Sequence, residues 1–587
     1  MPKVVGSGRK VSSEWAEVLK VDGDSKCKCK HCNNEISSKI ERIRAHLKKC
    51  QARNRKSEDE PLQIDLREEC STIVSPSSSA SSSVDTSCAP SPVSASSISK
   101  PFNLQPSISD FAIKTTERQK QLLDKAIAQF FFAANIPFNV AELKHFKEMI
   151  EMLRPGYSPP SSKLISGKLL DTAAEETEAT LREKLASNSV TLTIDGWSNV
   201  KNDPIQAVSI HTGSESFLLH AMDCGSEKKT AKRCAEVVDS AIQECEEKFG
   251  VKVFAIVTDN ENKMSKMWRL LKEKYPKVIM YGCSAHLLNL VEKEVSPKSV
   301  LKHIVEVQKY FRNVHQAHGW LKKKDGLMPQ LPNDTRWNSY LDCVKTFLAN
   351  YHKYREITLE HKDEIDKSIA KLLDNVLIYT EAQNLEKQLS VVSSALDILQ
   401  AESTSLSCAV EVWLDLLDDD ILKPYYSVFK ERFDQAIQPF HLLANLMDPK
   451  YMGRRLTSEQ ESAAENWLLE KYPEYLPGVL AFKIKDREYF ATSVMQETII
   501  NQFSTAKWWK IMKAKAEKGS KLPPGFCDFF SHLHSTPATS ASIERIFSTF
   551  GLIWNKIRNR LGVEKAVKLV KVYRFLRSGS KGDSTDW

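Results

Sequence analysis

Val190-Thr-Leu-Thr-Ile-Asp195-Gly-Trp-Ser198 is the stretch whose reading decides the fold. Val190, Leu192 and Ile194 alternate with Thr191, Thr193 and Asp195, the period of two that marks a β-strand. The strand ends on an acid followed at once by Gly196, which puts the carboxylate at a strand tip where the backbone turns. A second strand is expected at Val253-Phe-Ala-Ile-Val-Thr-Asp259-Asn. Its run is apolar on both faces, as for a buried central strand of a parallel or mixed sheet, and it too ends in an acid. Two strands ending in aspartates can supply a divalent-cation site, because such ions take carboxylate oxygens. Capping of turns is the other use of the same residues.

The segments around these strands complete a pattern. Residues 205–212 and 217–222, joined by Gly213-Ser-Glu-Ser, read as two hairpin strands. A helix at about 230–248 follows (Ala235, Val238, Ala241, Ile242, Cys245), then the Asp259 strand, a helix through Met267 and Leu271, and a short strand at 278–281. Three antiparallel strands, a helix, a parallel strand, a helix and a further strand make the order of a ribonuclease H-like mixed sheet. In that topology the first and fourth strands are neighbours, which would bring Asp195 and Asp259 together. The last strand runs into Cys283-Ser-Ala-His286. This is either half of a metal site or a packed or DNA-facing helix start.

Length and charge set the frame. A chain of 587 residues is expected to hold roughly three to four domains. No apolar run approaches the roughly 20 residues that span a membrane, and the N-terminus shows no secretory h-region. Thirteen scattered cysteines favour a reducing compartment, with thiols free or bound to metal. The net charge of +8 is uneven: residues 1–56 hold 15 Lys/Arg against 6 Asp/Glu, while the remainder is close to neutral. That basic excess is a footprint for nucleic acid or a solvated basic tail. Inside it stand Cys29-Lys-His-Cys32 and, after 13 intervening residues, His46-Leu-Lys-Lys-Cys50, the ligand spacing of a tetrahedral Zn²⁺ site. Ile40, Ile43 and Leu47 recur at helical spacing, which puts His46 and Cys50 on one helix face, with Trp15 as a candidate core aromatic. Lys28, Lys30, Arg42, Arg44, Lys48 and Lys49 could then reach phosphates.

The expected organisation is a zinc finger at 11–56, a disordered Ser-rich linker at 57–116 and a helical region at 117–186. The sheet's first part follows at 187–296, then a helical insertion at 297–530 and a returning C-terminal part at 531–580. In the helical region Leu122, Leu123, Ala126, Ile127 and Phe130 form one stripe and Phe146, Met149, Ile150 and Leu153 another. The insertion carries Asp334-Thr-Arg336-Trp337-Asn338-Ser339, an acidic cluster (Asp415, Asp418 to Asp420) read as a solvated helix end, and Trp508-Trp509, read as core. A helix entered at Pro537 buries Ile543, Ile546, Phe547, Phe550, Trp554 and Ile557, with Glu544 at the stripe's edge. Sequence physics does not rank Glu544 above Glu261 or Glu292 as a third metal ligand. A basic helix at 564–577 covers the core with Leu569, Val572, Tyr573 and Leu576.

Taken in order, these motifs resemble those of hAT-superfamily DNA transposases, the group of the hobo, Activator and Hermes elements, with an N-terminal BED-type zinc finger. The carrying residues are Asp195-Gly-Trp-Ser, Thr258-Asp259-Asn, Cys283-x-x-His286, Thr335-Arg336-Trp337-Asn338-Ser339 and Ser542-Ile-Glu544-Arg-Ile-Phe-Ser with Arg558-Asn-Arg-Leu561. Ser542-Ile departs slightly from the small residue that many members place before Glu-Arg. The resemblance implies a catalytic triad of Asp195, Asp259 and Glu544 using Mg²⁺ or Mn²⁺ for two-metal phosphoryl transfer. It further implies cleavage with hairpins on the flanking DNA and joining of 3′-hydroxyl ends to target DNA. Arg336 and Trp337 would handle the hairpin end, and His286 would line the site. Double-stranded DNA, a homo-oligomer and a nuclear location go with that reading. A domesticated descendant that binds DNA and regulates transcription without catalysis is the alternative.

Overall fold

The computed structural model describes residues 18–20, 26–37, 43, 45–47, 50, 115–186, 189–199, 201–225, 229–333, 338–516, 521–558 and 561–578. Trp15, the 57–114 stretch, and Arg336 with Trp337 lie outside the described residues. The chain divides into two units, Met1–Asn103 and Leu104–Trp587, each described by itself.

The first unit holds an antiparallel sheet of β1 (Val18–Lys20), β2 (Lys26–Cys29) and β3 (Glu35–Ser37). Its core is Val18, Cys27, Cys29, Ile43, Leu47 and Cys50. Ile43 and Leu47 are buried, as the helical spacing required.

The second unit is built on a sheet of β4 (Ser189–Ser198), β5 (Pro204–His211), β6 (Ser216–Asp223), β7 (Lys252–Thr258) and β8 (Ile279–Gly282). The strand order is β6-β5-β4-β7-β8; β4 and β7 are parallel neighbours, as are β7 and β8, and the other pairs are antiparallel. Alternation sorts the side chains between two faces. Val190, Leu192, Ile194, Val208 and Ile210 pack against the helices Ala231–Phe249 and Asn262–Lys274. Ile205, Ala207, Leu218 and Trp197 turn the other way, toward the helices Ala541–Ile553 and Val563–Ser578. The threonine side of β4 is buried too, with Thr193 and Ser209 hydrogen-bonded to each other. The polar half of the sequence alternation therefore faces protein rather than water.

The end of β4 differs from its reading. Pairing with β7 stops at Ile194–Thr258, but pairing with β5 continues through Ser198–Pro204. Asp195 is at the strand tip only on the β7 side; the backbone runs straight on, because β5 still supports it.

Helix faces supply further corrections. In Glu117–Ala133 the inward residues are Asp124, Ala128, Phe131 and Phe132, while Leu122 and Phe130 are exposed. Asp124 belongs inside because the Tyr157 hydroxyl donates to it at 2.6 Å. Lys144–Leu153 fully buries no residue, and Met149 and Leu153 face out; Phe146 alone finds a ring, edge-on to Phe131 at 5.5 Å. A π-turn at Ile165–Leu169, where Gly167 leaves helical geometry, precedes the Leu170–Leu185 helix. The Asp415–Asp418 acids are not merely solvated: Arg455 forks to Glu411, Asp415 and Asp418 at 2.7–2.9 Å.

Between the β8 region and the last sheet-facing helices the chain is helical from Ser284–Val295 through Phe526–Ser535. Two cores form there, one around Phe311, Phe347 and Tyr354, the other around Trp413, Trp508 and Trp509. The helix expected to start at Pro537 starts at Ala541. Residues 536–540 instead form a strap: Pro537 bridges to Ser405, and Ala538 donates its N–H to Thr404 O at 3.2 Å.

Trp197 stacks on Phe547 at 6.1 Å between centroids and lies 5.9 Å from Phe550, tying the end of β4 to the Ala541–Ile553 helix. Trp197→Ala is expected to cost about 3 kcal/mol of stability, read as a lower denaturant midpoint for the Leu104–Trp587 unit, with Trp197→Phe keeping most of it. An unchanged midpoint for the alanine variant would show that this contact does not hold the helix.

Candidate functional site

Asp195 and Asp259 are each the next residue after the registered pair Ile194–Thr258, on adjacent parallel strands. Neighbouring strands stand about 4.8 Å apart, so their carboxylates share one end of the sheet. Asp195 and Trp197 lie on the same face of β4, two residues apart. Trp197 meets Phe547 and Phe550 one and two turns beyond Glu544, so Glu544 comes over the Asp195 carboxylate. The three acids are electrostatically coupled: Asp259 acts on Asp195, and both act on Glu544.

The charges are poorly compensated. Burial raises the Asp195 carboxyl above its ordinary value, and the Asp259 charge adds to that rise. Asp259 is raised by burial as well, against the opposing pull of His286. Glu544 is pushed up to about 8 by burial and by the Asp195 and Asp259 charges. All three side chains are half-buried by accessible surface, yet each sits deep enough among protein atoms for desolvation to lead. Three hard oxygen donors that repel one another fit a divalent cation, which would remove the repulsion.

Neighbouring residues build the walls. Lys229 acts electrostatically on both Asp195 and Asp259, and its Nζ would lie 2.5 Å from a β-carbon at Gly196. Gly196 thus leaves room for an ammonium beside the acids, a pairing of Gly196 with a residue far along the chain that no local pattern reveals. Asn260 donates to Cys283 O at 2.7 Å and crosses so close over Gly282 that a β-carbon there would overlap it. That anchor fixes the turn after Asp259. Cys283 is buried and accepts from the Ser540 N–H at 3.4 Å, so the Cys283–His286 segment is a packed helix start, with His286 turned toward Asp259. Glu261 pairs with Lys263, and its charge also raises Asp195 and Asp259, while Glu292 is buried on the Ser284–Val295 helix; neither is among the groups that act on Glu544.

In the first unit Cys29, Cys32, His46 and Cys50 bring their ligand atoms within 4.8 Å of one another. Cys29 Sγ to Cys50 Sγ is 4.0 Å and Cys32 Sγ to His46 Nε2 is 3.1 Å. Sulfurs 2.3 Å from a tetrahedral centre stand about 3.8 Å apart, so the donor set and its spacing fit zinc. Cys27 and His31 are not part of the cluster. Among the described residues this is the one group of three or more His, Cys, Asp or Glu already spaced to hold an ion; the three acids are not yet that close.

Two family profiles match the chain. Residues 160–311 match a domain of unknown function, DUF659, and residues 487–576 match the hAT family C-terminal dimerisation region. No curated protein matches. Asp195, Asp259 and His286 fall within the first match and Glu544 within the second. These two regions support a transposase of the hAT group or a protein derived from one. The dimerisation region supports oligomer formation. Among the described residues no helix is long and apolar enough to cross a membrane.

The raised carboxyls set a pH dependence. The folded, metal-free protein binds these protons more tightly than the unfolded chain does. Their stabilising contribution is complete below the ordinary carboxylate range and is lost as pH rises through about 8. Without divalent ions, wild type should lose thermal stability between about pH 5 and pH 8.5 more steeply than Asp259→Asn. Millimolar Mg²⁺ should raise the melting temperature mainly at the alkaline end. Equal Mg²⁺ shifts at both ends, or in both proteins, would exclude a cation at these acids. Chelation at the first unit is expected to unfold it, with a matching loss in Cys50→Ser, read by circular dichroism of residues 1–56 within the full chain.

Proposed function

We propose that the chain is a cut-and-paste DNA transposase whose ribonuclease H-like domain carries Asp195, Asp259 and Glu544 as its catalytic acids. The observation that carries this reading is the convergence of three mutually repelling carboxylates at one sheet end, in a chain with a hAT dimerisation region. The strand order β6-β5-β4-β7-β8, with a parallel β4–β7 pair, supports the ribonuclease H-like assignment.

Divalent cations, Mg²⁺ or Mn²⁺, would when bound supply Lewis acidity at the scissile phosphate and lower the pKa of the attacking water or 3′-hydroxyl. Asp195 and Asp259 would hold them from the sheet, and Glu544 from the helix above. The Trp197 stack fixes that helix's rotation, so the third acid is positioned before DNA arrives. Lys229 and His286 add positive charge or donors at the same edge, where charge on a phosphate grows during transfer. Arg336 and Trp337, outside the described residues, would seize the hairpin end, Trp337 by stacking an unpaired base. The Cys₃His unit would act as a BED-type finger that docks transposon ends, with its basic residues on phosphates. DNA ends held by a dimer or larger assembly, in the nucleus, complete the proposal.

The test is cleavage of a labelled duplex carrying the element's own end, with Mg²⁺. Wild type is expected to give nicks and hairpins, while Glu544→Gln and Asp259→Ala each lose a factor of about 10³ or more with end binding intact. Binding without cleavage by wild type would assign the chain to the derived, regulatory proteins. Equal cleavage by Glu544→Gln and wild type would remove Glu544 from the site.

A further inference from the structure

A cavity of about 780 Å³ lies away from the acids, between β6, the Glu117–Ala133 and Leu170–Leu185 helices, and the Ala541–Ile553 and Val563–Ser578 helices. Its size falls within the roughly 300–1,000 Å³ of small-molecule sites. Phe130, Leu181, Phe217, Tyr573 and Phe575 give it apolar and aromatic walls. Both signs of charge line it, and the pairing among them is unequal.

Each acid in the wall is already engaged. Glu178 is held by Lys571 at 2.8 Å and Lys248 at 2.6 Å, Glu215 by Lys184 at 3.4 Å, and Glu402 by Arg545 at 3.2 Å. Two cations are left over. Among the described residues, neither Arg574 nor Arg577 has a carboxylate within salt-bridge distance. Arg574 reaches only Ser216, its O and Oγ both at 3.4 Å from Nη2, and its Nε is buried with no hydrogen-bond partner. Arg577 rests over the Tyr573 ring at 5.4 Å. The two stand at i and i+3 on one helix and both line the cavity. Burial also holds the Arg574 guanidinium below its ordinary pKa, and the Glu402 charge offsets that only in part. A buried guanidinium with an empty donor is costly unless something fills it.

One carboxylate would satisfy one of these guanidiniums. A phosphate monoester carries about −1.5 to −2 charges near neutral pH and three acceptor oxygens, enough for both, and guanidinium forks match it. The aromatic walls suit a planar ring attached to that group. We propose that this cavity is a binding site for a mononucleotide, with its phosphate on Arg574 and Arg577 and its base among Phe130, Phe217 and Tyr573. Nothing in this site depends on the chemistry of the three acids, so it stands or falls apart from the catalytic reading.

Full-length protein, as wild type and as Glu544→Gln, is titrated calorimetrically with AMP, adenosine, inorganic phosphate, and an oligonucleotide with or without a 5′-phosphate. AMP is expected to bind both proteins alike, with adenosine and phosphate each weaker by about tenfold or more. Arg574→Met should weaken AMP by a similar factor, the loss expected for a charge-assisted contact. Thr549→Trp, which fills the cavity and leaves both arginines in place, should abolish binding if that variant retains the wild-type circular dichroism. AMP binding no tighter than adenosine, or unchanged in both variants, overturns the site. Phosphate binding as tightly as AMP overturns the base pocket. A 5′-phosphorylated oligonucleotide that binds more tightly than AMP overturns the free nucleotide in favour of a DNA end.

Discussion

The stack of Trp197 on Phe547 and Phe550 is the contact on which the acid cluster depends. A strand offers two side-chain directions and a helix a narrow stripe, so one well-filled contact between them fixes both register and rotation. Asp195 is two residues before Trp197, and Glu544 is three before Phe547. Once the ring is seated, the carboxylates have nowhere else to go. Asp259 needs no such device, because β7 pairs with β4 and carries it to the same edge.

That convergence runs against electrostatics. Burial raises all three carboxyls, Asp259 adds to the rise at Asp195 and both aspartates to that at Glu544, and the Lys229 ammonium beside Gly196 offsets only part of the cost at the aspartates. Apolar burial supplies what the charges cost: Ile543, Ile546, Phe547, Phe550, Ile553 and Trp554 are all buried in one core with Phe131, Phe132, Ile165 and Leu170. Helices near the start of the second unit and near its end are thus held as one layer over the sheet. Arg558 reinforces this, donating to Asn135 O at 3.0 Å and lying 5.6 Å from the Phe138 ring centre. A cation bound at such a site would relieve the repulsion that gathering the acids at one sheet end creates.

What the sequence made legible was local. Period-two alternation exposed β4 and β5, the all-apolar run exposed β7, and fixed spacings exposed the Cys₃His cluster, because each signal is complete within a few residues. The buried threonine face of β4 was not legible, since a polar side chain gives no sign that a hydroxyl partner such as Ser209 awaits it. The stripe through Leu122 and Phe130 misled for a related reason: the helix turns Phe131, Phe132 and Asp124 inward, and Asp124 is stable there because Lys120 pairs with it at 2.8 Å and Tyr157 meets it from a distant turn. Among Glu261, Glu292 and Glu544, spacing has no vote: Glu261 acts on Asp195 and Asp259 from the adjacent turn, while Glu544 is brought to them by a helix that returns to the sheet after the whole helical segment. Gly196 reads as a turn residue in isolation, and only the position of Lys229 gives it a second meaning.

The long helical segment between β8 and the Glu544 helix is therefore more than an insertion that the sheet tolerates. Its entry and exit are sewn together at the strap 536–540. The Tyr281 hydroxyl donates to Pro537 O, and the Ser284 N–H to Ala538 O at 3.2 Å. The Thr539 hydroxyl donates to Leu399 O at 3.2 Å, and the Trp413 indole reaches Ser284 at 2.6 Å. Arg545, beside Glu544, donates to Gln400 O at 3.0 Å and pairs with Glu402. Together these bonds join the end of the sheet, the strap, the start of the Glu544 helix and the helical segment. The helix that carries Glu544 is thus held by the helical segment as well as by the sheet.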